Sequence, residues 1–100
     1  MAVVEISVTP LGTAATGVSA YVARCVKIAR NSGLKVQLTP MGTILDGAMD
    51  EIWKVLMQMH NAPFVQGAER VSTLIKIDDR RDGELHSMEG KVASVENRLS

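Results

Sequence analysis

One hundred residues, 46% of them hydrophobic, suffice for one compact domain burying roughly two-thirds of its unfolded surface, and leave no room for a second. Eleven basic and eleven acidic side chains cancel and are interspersed, so no long-range field draws the chain to nucleic acid or an anionic membrane. The single Cys25 has no internal partner, and Met1 leads into a strand-like run without a basic or long apolar segment, so the sequence predicts a cytoplasmic protein with no secretory signal or membrane span.

Residues 3–9 alternate, with Val4, Ile6 and Val8 on one face and Glu5, Ser7 and Thr9 on the other, which predicts a half-buried strand ended by Pro10-Leu11-Gly12-Thr13. After a small-residue loop, Val22, Cys25, Val26 and Ala29 recur at helical spacing over 19–31, with Ser19 as the expected N-cap and Gly33 as a stop. The second strand, 34–39, sets Leu34, Val36 and Leu38 against Lys35, Gln37 and Thr39. A Pro40-Met41 corner then reverses the chain into a third strand from Gly42 to about Leu45.

Met49, Ile52, Trp53, Leu56 and Met59 mark a second helix with Asp50 and Glu51 in its first turn, expected to stop near Asn61 because of Pro63. The fourth strand, 70–78, turns Val71, Thr73, Ile75 and Ile77 one way and Ser72, Leu74 and Lys76 the other. Leu85, Met88, Val92, Val95 and Leu99 form a narrow seam on a last helix. The order β-α-β-β-α-β-α predicts an α+β, ferredoxin-like sandwich with an extra C-terminal helix, a single domain spanning 1–100. Thr9-Pro10-Leu11-Gly12-Thr13 and Thr39-Pro40-Met41-Gly42-Thr43 echo each other at an offset of thirty, which reads as two similar strand exits.

No catalytic motif is present: there is no phosphate-cradling glycine loop, no metal-ligand spacing and no nucleophile elbow. His60 and His86 read as surface or capping residues and Cys25 as a small core residue. Arg80 and Arg81, just before the last helix, are the candidate anion-binding pair. The uncovered sheet face is expected to carry Glu5, Ser7, Thr9, Gln37, Thr39, Thr43, Ser72 and Lys76, mixed with Leu45 and Leu74. Such a face is either solvated or the meeting surface of a dimer with a small polar ligand between the sheets. The surplus seam favours the oligomer.

Pro10-Leu11-Gly12, the hairpin Leu38-Thr39-Pro40-Met41-Gly42-Thr43 followed by an acidic residue and Gly47, and Arg70-Val71 leading to Lys76-Ile77-Asp78 and Arg80 together resemble the small thiamine-binding-protein family over nearly the whole chain. The resemblance implies a ferredoxin-like fold, sheet-to-sheet homodimers that often pair into tetramers, and binding of thiamine or its hydroxymethylpyrimidine part without catalysis. Asp46 stands where the family is expected to carry Glu. Thiamine joins a cationic thiazolium to an aminopyrimidine with a donor and an acceptor, so its site calls for a carboxylate, hydroxyls and an apolar wall. Glu5 is the candidate carboxylate, Ser7, Thr39 and Thr43 the hydroxyls, Gln37 an amide, and Met41 or Leu45 the flank. No cofactor and no metal is implied. The alternatives are a regulatory module of the same fold that binds another small effector or an anion, and an enzyme using Glu5 as general base beside Lys76.

Overall fold

The computed structural model describes residues 1–13, 17–83 and 87–100, and the expectations for Leu85 and His86 lie outside these residues. Within them the chain forms β1 (Ala2–Leu11), α1 (Ser19–Arg30), β2 (Lys35–Thr39), β3 (Gly42–Gly47), α2 (Met49–Val65), β4 (Arg70–Asp79) and α3 (Met88–Leu99). The strands pair antiparallel in one sheet of order β2-β3-β1-β4, and α1 and α2 pack together across one of its faces. This is the expected α+β sandwich.

Residues directly opposed in an antiparallel ladder share a face, so register assigns every side chain. Val4 opposes Leu45 and Ile77, and Val36 opposes Leu45 in turn, while Ile6 opposes Thr43 and Ile75. These residues lie on the helix side, where Val4, Ile6 and Leu45 join Cys25, Ala29, Ile52, Leu56 and Met59 in the core. On the other side Glu5 lies between Ile44 and Lys76, with Gln37 next to Ile44, and Ser7 opposes Leu74.

The strand assignments of β1, β2 and β4 match the sequence pattern, and that of β3 is reversed. Thr43 and Leu45, expected on the open face, are 4% and 0% exposed beneath the helices. The cause is the length of the corner. With only Pro40 and Met41 between them, Thr39 pairs with Gly42, so Thr43 must pair with Leu38 and share its apolar face.

Three boundaries also differ. β1 continues through Pro10 to Leu11, opposite Val71 and Arg70, because its ladder to β3 ends at Ile6↔Thr43 and a proline beyond that point interrupts no pairing on the β3 flank. Its exit is therefore not the counterpart of the turn at Pro40. Helix α1 is preceded by Val18 as N-cap, with no side-chain cap bond, so Ser19 is its first helical residue.

Helix α2 runs through Pro63 to Val65. A proline inside a helix strands the carbonyl four residues earlier, here that of Met59. The Cys25 thiol donates to that oxygen at 3.3 Å and supplies the missing partner. Burial pushes this thiol above its ordinary value of 9.0 against the opposing backbone hydrogen bond, so at neutral pH it stays protonated and remains a donor.

Candidate functional site

Beyond Ile6 the β1 backbone has β4 on one flank and, among the described residues, no strand on the other, since β3 turns back at Gly42. The start of α1 spans the gap thus left. The result is a cleft of about 200 Å³ bounded by residues 6–9 of β1, the hairpin residues 38–43, Val18, Val22 and Cys25 of the α1 end, and Met59 below. Among the described residues no charged one lines it. Its polar groups are hydroxyls and the strand backbone, and its apolar walls are aliphatic and thioether.

The hairpin is fixed by its own chemistry. Thr39 Oγ1 accepts from Met41 N at 3.3 Å and Gly42 N at 3.1 Å and donates to Gly42 O at 2.9 Å. A Cβ at Gly42 would stand 2.9 Å from the Ile6 carbonyl oxygen, so any larger residue there would lever the hairpin off β1. Met41 is 81% exposed at the tip, where its flexible side chain can close over the opening. The buried Thr43 side chain has no hydrogen bond among the described residues, so its hydroxyl is available to whatever enters.

The expected ligand set thus divides. Ser7, Thr39, Met41 and Thr43 come together at this cleft. Thr39 serves the turn, and Ser7, whose side chain is set on the open face by its register with Leu74, contributes from the β1 edge. Glu5 and Gln37 lie across the sheet on the open face, exposed. Leu45 is core. Val22, Cys25 and Met59, which line the cleft, read from the sequence as helix packing, and Val18 beside them carries no signal in the sequence. Only the folded position of α1 over the unpaired β1 flank brings them to a site.

On the open face a recess of about 230 Å³ gathers Val3, Glu5, Ile44, Lys76, Asp78 and Lys91. Lys91 Nζ reaches Asp78 Oδ2 at 2.6 Å, whereas Glu5 and Lys76 oppose each other in register with no ion pair among the described residues. The other titratable cluster is the turn after β4. Arg80 Nε donates to Asp82 at 2.9 Å, and Arg81 holds Asp79 through Nη2 at 2.9 Å, a hydrogen bond that raises the Arg81 pKa. An anion here would meet Asp79 and Asp82 as well as the guanidiniums.

The end of α3 that an anion would use is also occupied. Ser87 Oγ caps it by accepting from Gly90 N at 3.1 Å, and Asp46 Oδ2 accepts from Met88 N at 2.9 Å. Asp46 therefore ties α3 to the sheet and does not cap α2, whose N-cap is Ala48. No group of three or more His, Cys, Asp or Glu able to hold a metal occurs among the described residues. No helix there is long and apolar enough to cross a membrane.

A family profile described as thiamine-binding protein matches residues 4–96. The UPF0045 protein YqgV of Bacillus subtilis is 41% identical over 103 residues, covering 99% of this chain and 98% of that one. Among solved structures, the hypothetical protein MJ1052 of Methanocaldococcus jannaschii superposes with a TM-score of 0.83 at 35% identity, covering 95% of each chain. A domain of unknown function, DUF77, from Bacillus cereus superposes with a TM-score of 0.82 at 27% identity, over 91% of this chain and 86% of the other. With the profile spanning residues 4–96, and with the hairpin and strand motifs seated in the matching fold, the chain belongs to the thiamine-binding-protein family.

Proposed function

We propose that the chain binds the aminopyrimidine of thiamine or of a related compound in the cleft between β1, the β2–β3 hairpin and α1, and that it does no chemistry on it. The observation that carries this reading is the neutral cleft in which, among the described residues, the Thr43 hydroxyl has no partner and one flank of β1 has no strand. An aminopyrimidine offers one face to apolar walls and a donor and an acceptor to its edge, which hydroxyls and backbone groups satisfy. At about 200 Å³ the space falls below the roughly 300–1,000 Å³ of drug-sized sites, enough for one ring. The cationic thiazolium, with no carboxylate among the described lining residues, stays at the mouth.

The test is a thermal-shift titration with thiamine and with hydroxymethylpyrimidine, beside sulfate and phosphate, read together with alkylation of the single Cys25. Ligand at a hundredfold excess over Kd stabilises by about 2.7 kcal/mol, which raises the midpoint by on the order of 10 °C. Both pyrimidines should do so to similar extent and should slow Cys25 alkylation, because Cys25 lines the cleft. Thr43→Val should weaken binding by about tenfold, the worth of one buried hydrogen bond. Glu5→Ala, across the sheet, should leave it unchanged. A midpoint that rises only with the anions would sink this reading in favour of an effector or anion module.

The open face supports the second part of the proposal, self-association of two copies through their sheets. Val3, Ile44 and Leu74 are set among its polar residues, and Val92, Val95 and Leu99 of α3 are exposed. Ile44→Asp should shift the sedimenting species toward monomer. An unchanged species would remove this face from the assembly.

A further inference from the structure

The candidate cleft opens into a second groove. Val22 and Leu38, which wall the cleft, also wall a space of about 500 Å³ that follows α1 toward its C-terminal end. The α1 wall is made of two rows at four-residue spacing, Ser19-Ala23-Lys27 and Val22-Val26-Arg30. Each row is small or apolar where the groove leaves the cleft and cationic two turns later. Neither Lys27 nor Arg30 makes an ion pair among the described residues, and no carboxylate is among the described residues that line the groove. The balance of charge over the whole chain does not hold in this region, since between Glu5 and Asp46 there is no acidic residue and there are four basic ones. The two cations stand in the last turn of α1, where they offset the negative end of the helix dipole. That placement does not account for a groove that leads to them from the cleft.

We infer that the ligand preferred by this chain is a phosphate ester, with the pyrimidine in the cleft and the phosphate between Lys27 and Arg30; the inference rests on the reading of the cleft as a pyrimidine site. Bare thiamine brings its thiazolium toward two like charges, which opposes binding. A phosphate on the hydroxyethyl arm reverses the sign at that end of the ligand and turns the same two side chains into partners through charge-assisted hydrogen bonds. The lengths agree. Lys27 and Arg30 stand about 7.5 and 12 Å along α1 from Val22 at 1.5 Å per residue, and a thiazolium with its hydroxyethyl arm spans a comparable distance. Between the cleft and the cations, Ala23, Val26 and Leu38 form an apolar passage for the thiazolium ring.

The experiment is isothermal titration with thiamine and with thiamine monophosphate on the wild type, Lys27→Gln, Arg30→Gln and Arg24→Gln. Arg24 is exposed on the same helix but lines a different groove. The readout is the ratio of the two affinities within each protein, in which a general effect on folding cancels. The monophosphate should bind the wild type about tenfold more tightly than thiamine, the worth of two exposed ion pairs. Lys27→Gln and Arg30→Gln should each cut that ratio by about threefold, whereas Arg24→Gln, which removes the same charge from the same helix, should keep it. Equal or weaker binding of the monophosphate by the wild type would overturn the inference and leave the pyrimidine reading standing. No binding of either compound would overturn both. A ratio lowered as much by Arg24→Gln as by Arg30→Gln, or moved by none of the three, would show that the phosphate is not seated in this groove and would overturn the inference as well.

Discussion

Leu45→Ala is expected to lower the stability of the chain by about 3 kcal/mol, and its melting midpoint by on the order of 15 °C. Leu45 is fully buried, opposed by Val4 on one side and Val36 on the other, in the cluster that also holds Ile52, Leu56 and Met59. Shortening it leaves a void that two helices and three strands cannot all close at once, since interiors are already packed at crystal density. The measurement is urea unfolding beside Leu74→Ala as control. Leu74 sits on the same sheet, is 72% exposed, and should change stability by no more than about 0.5 kcal/mol. The folded fraction of Leu45→Ala should keep most of its ligand affinity, because Leu45 does not line the cleft. If the variant instead lost affinity and changed stability by less than about 1 kcal/mol, Leu45 would be the ligand flank and β3 would be shifted by one residue.

That distinction turns on how strand faces are written in the chain. In β1 and β2 the apolar and polar residues alternate cleanly, and in β4 they alternate apart from Thr73 and Leu74, so the period alone assigns their sides. In β3 it does not. Thr43 and Leu45 share one face and Ile44 and Asp46 the other, so each face holds one apolar and one polar residue and the pattern has no preferred side. The parity was legible elsewhere, in the two-residue corner at Pro40-Met41, which pairs Thr39 with Gly42. The extension of α2 past Pro63 was not legible, because the donor that rescues the Met59 carbonyl belongs to Cys25, thirty-four positions away. The cleft itself depends on where β3 stops pairing with β1, a fact about register that composition and spacing do not carry. Hence the sequence names the hydroxyls that border this candidate cleft and not their neighbours on α1 and α2.

Asp46→Ala is expected to release α3 while leaving the sandwich folded. Asp46 is 5% exposed, and its carboxylate accepts from Met88 N at 2.9 Å, a buried charge-assisted bond to a helix N-terminus worth about 1.5–3 kcal/mol. The other ties are weaker. The pairs Lys35–Glu89 and Lys91–Asp78 join exposed groups, and among the described seam residues of α3 only Met88 is buried. Removing Asp46 should therefore lower the docked-to-undocked ratio of α3 by about ten- to a hundredfold. The readouts are loss of helical circular dichroism and fast hydrogen exchange over 88–99, with protection retained in β1 and α2. Asp46→Asn keeps an acceptor oxygen without the charge and should fall between. Acid should act in the same direction. Glu89 is held below its ordinary 4.5 chiefly by a backbone hydrogen bond in the first turn of α3, aided by Lys35 and Ser87 against desolvation. A depressed carboxylate stabilises the folded form above its unfolded pKa and loses that contribution as pH falls through the folded one. Protection of 88–99 should thus decline as pH drops below about 4.5, before the core opens. Loss of β1 protection at the same point in the Asp46→Ala variant would show that α3 and the sandwich fold as one unit and that Asp46 holds both.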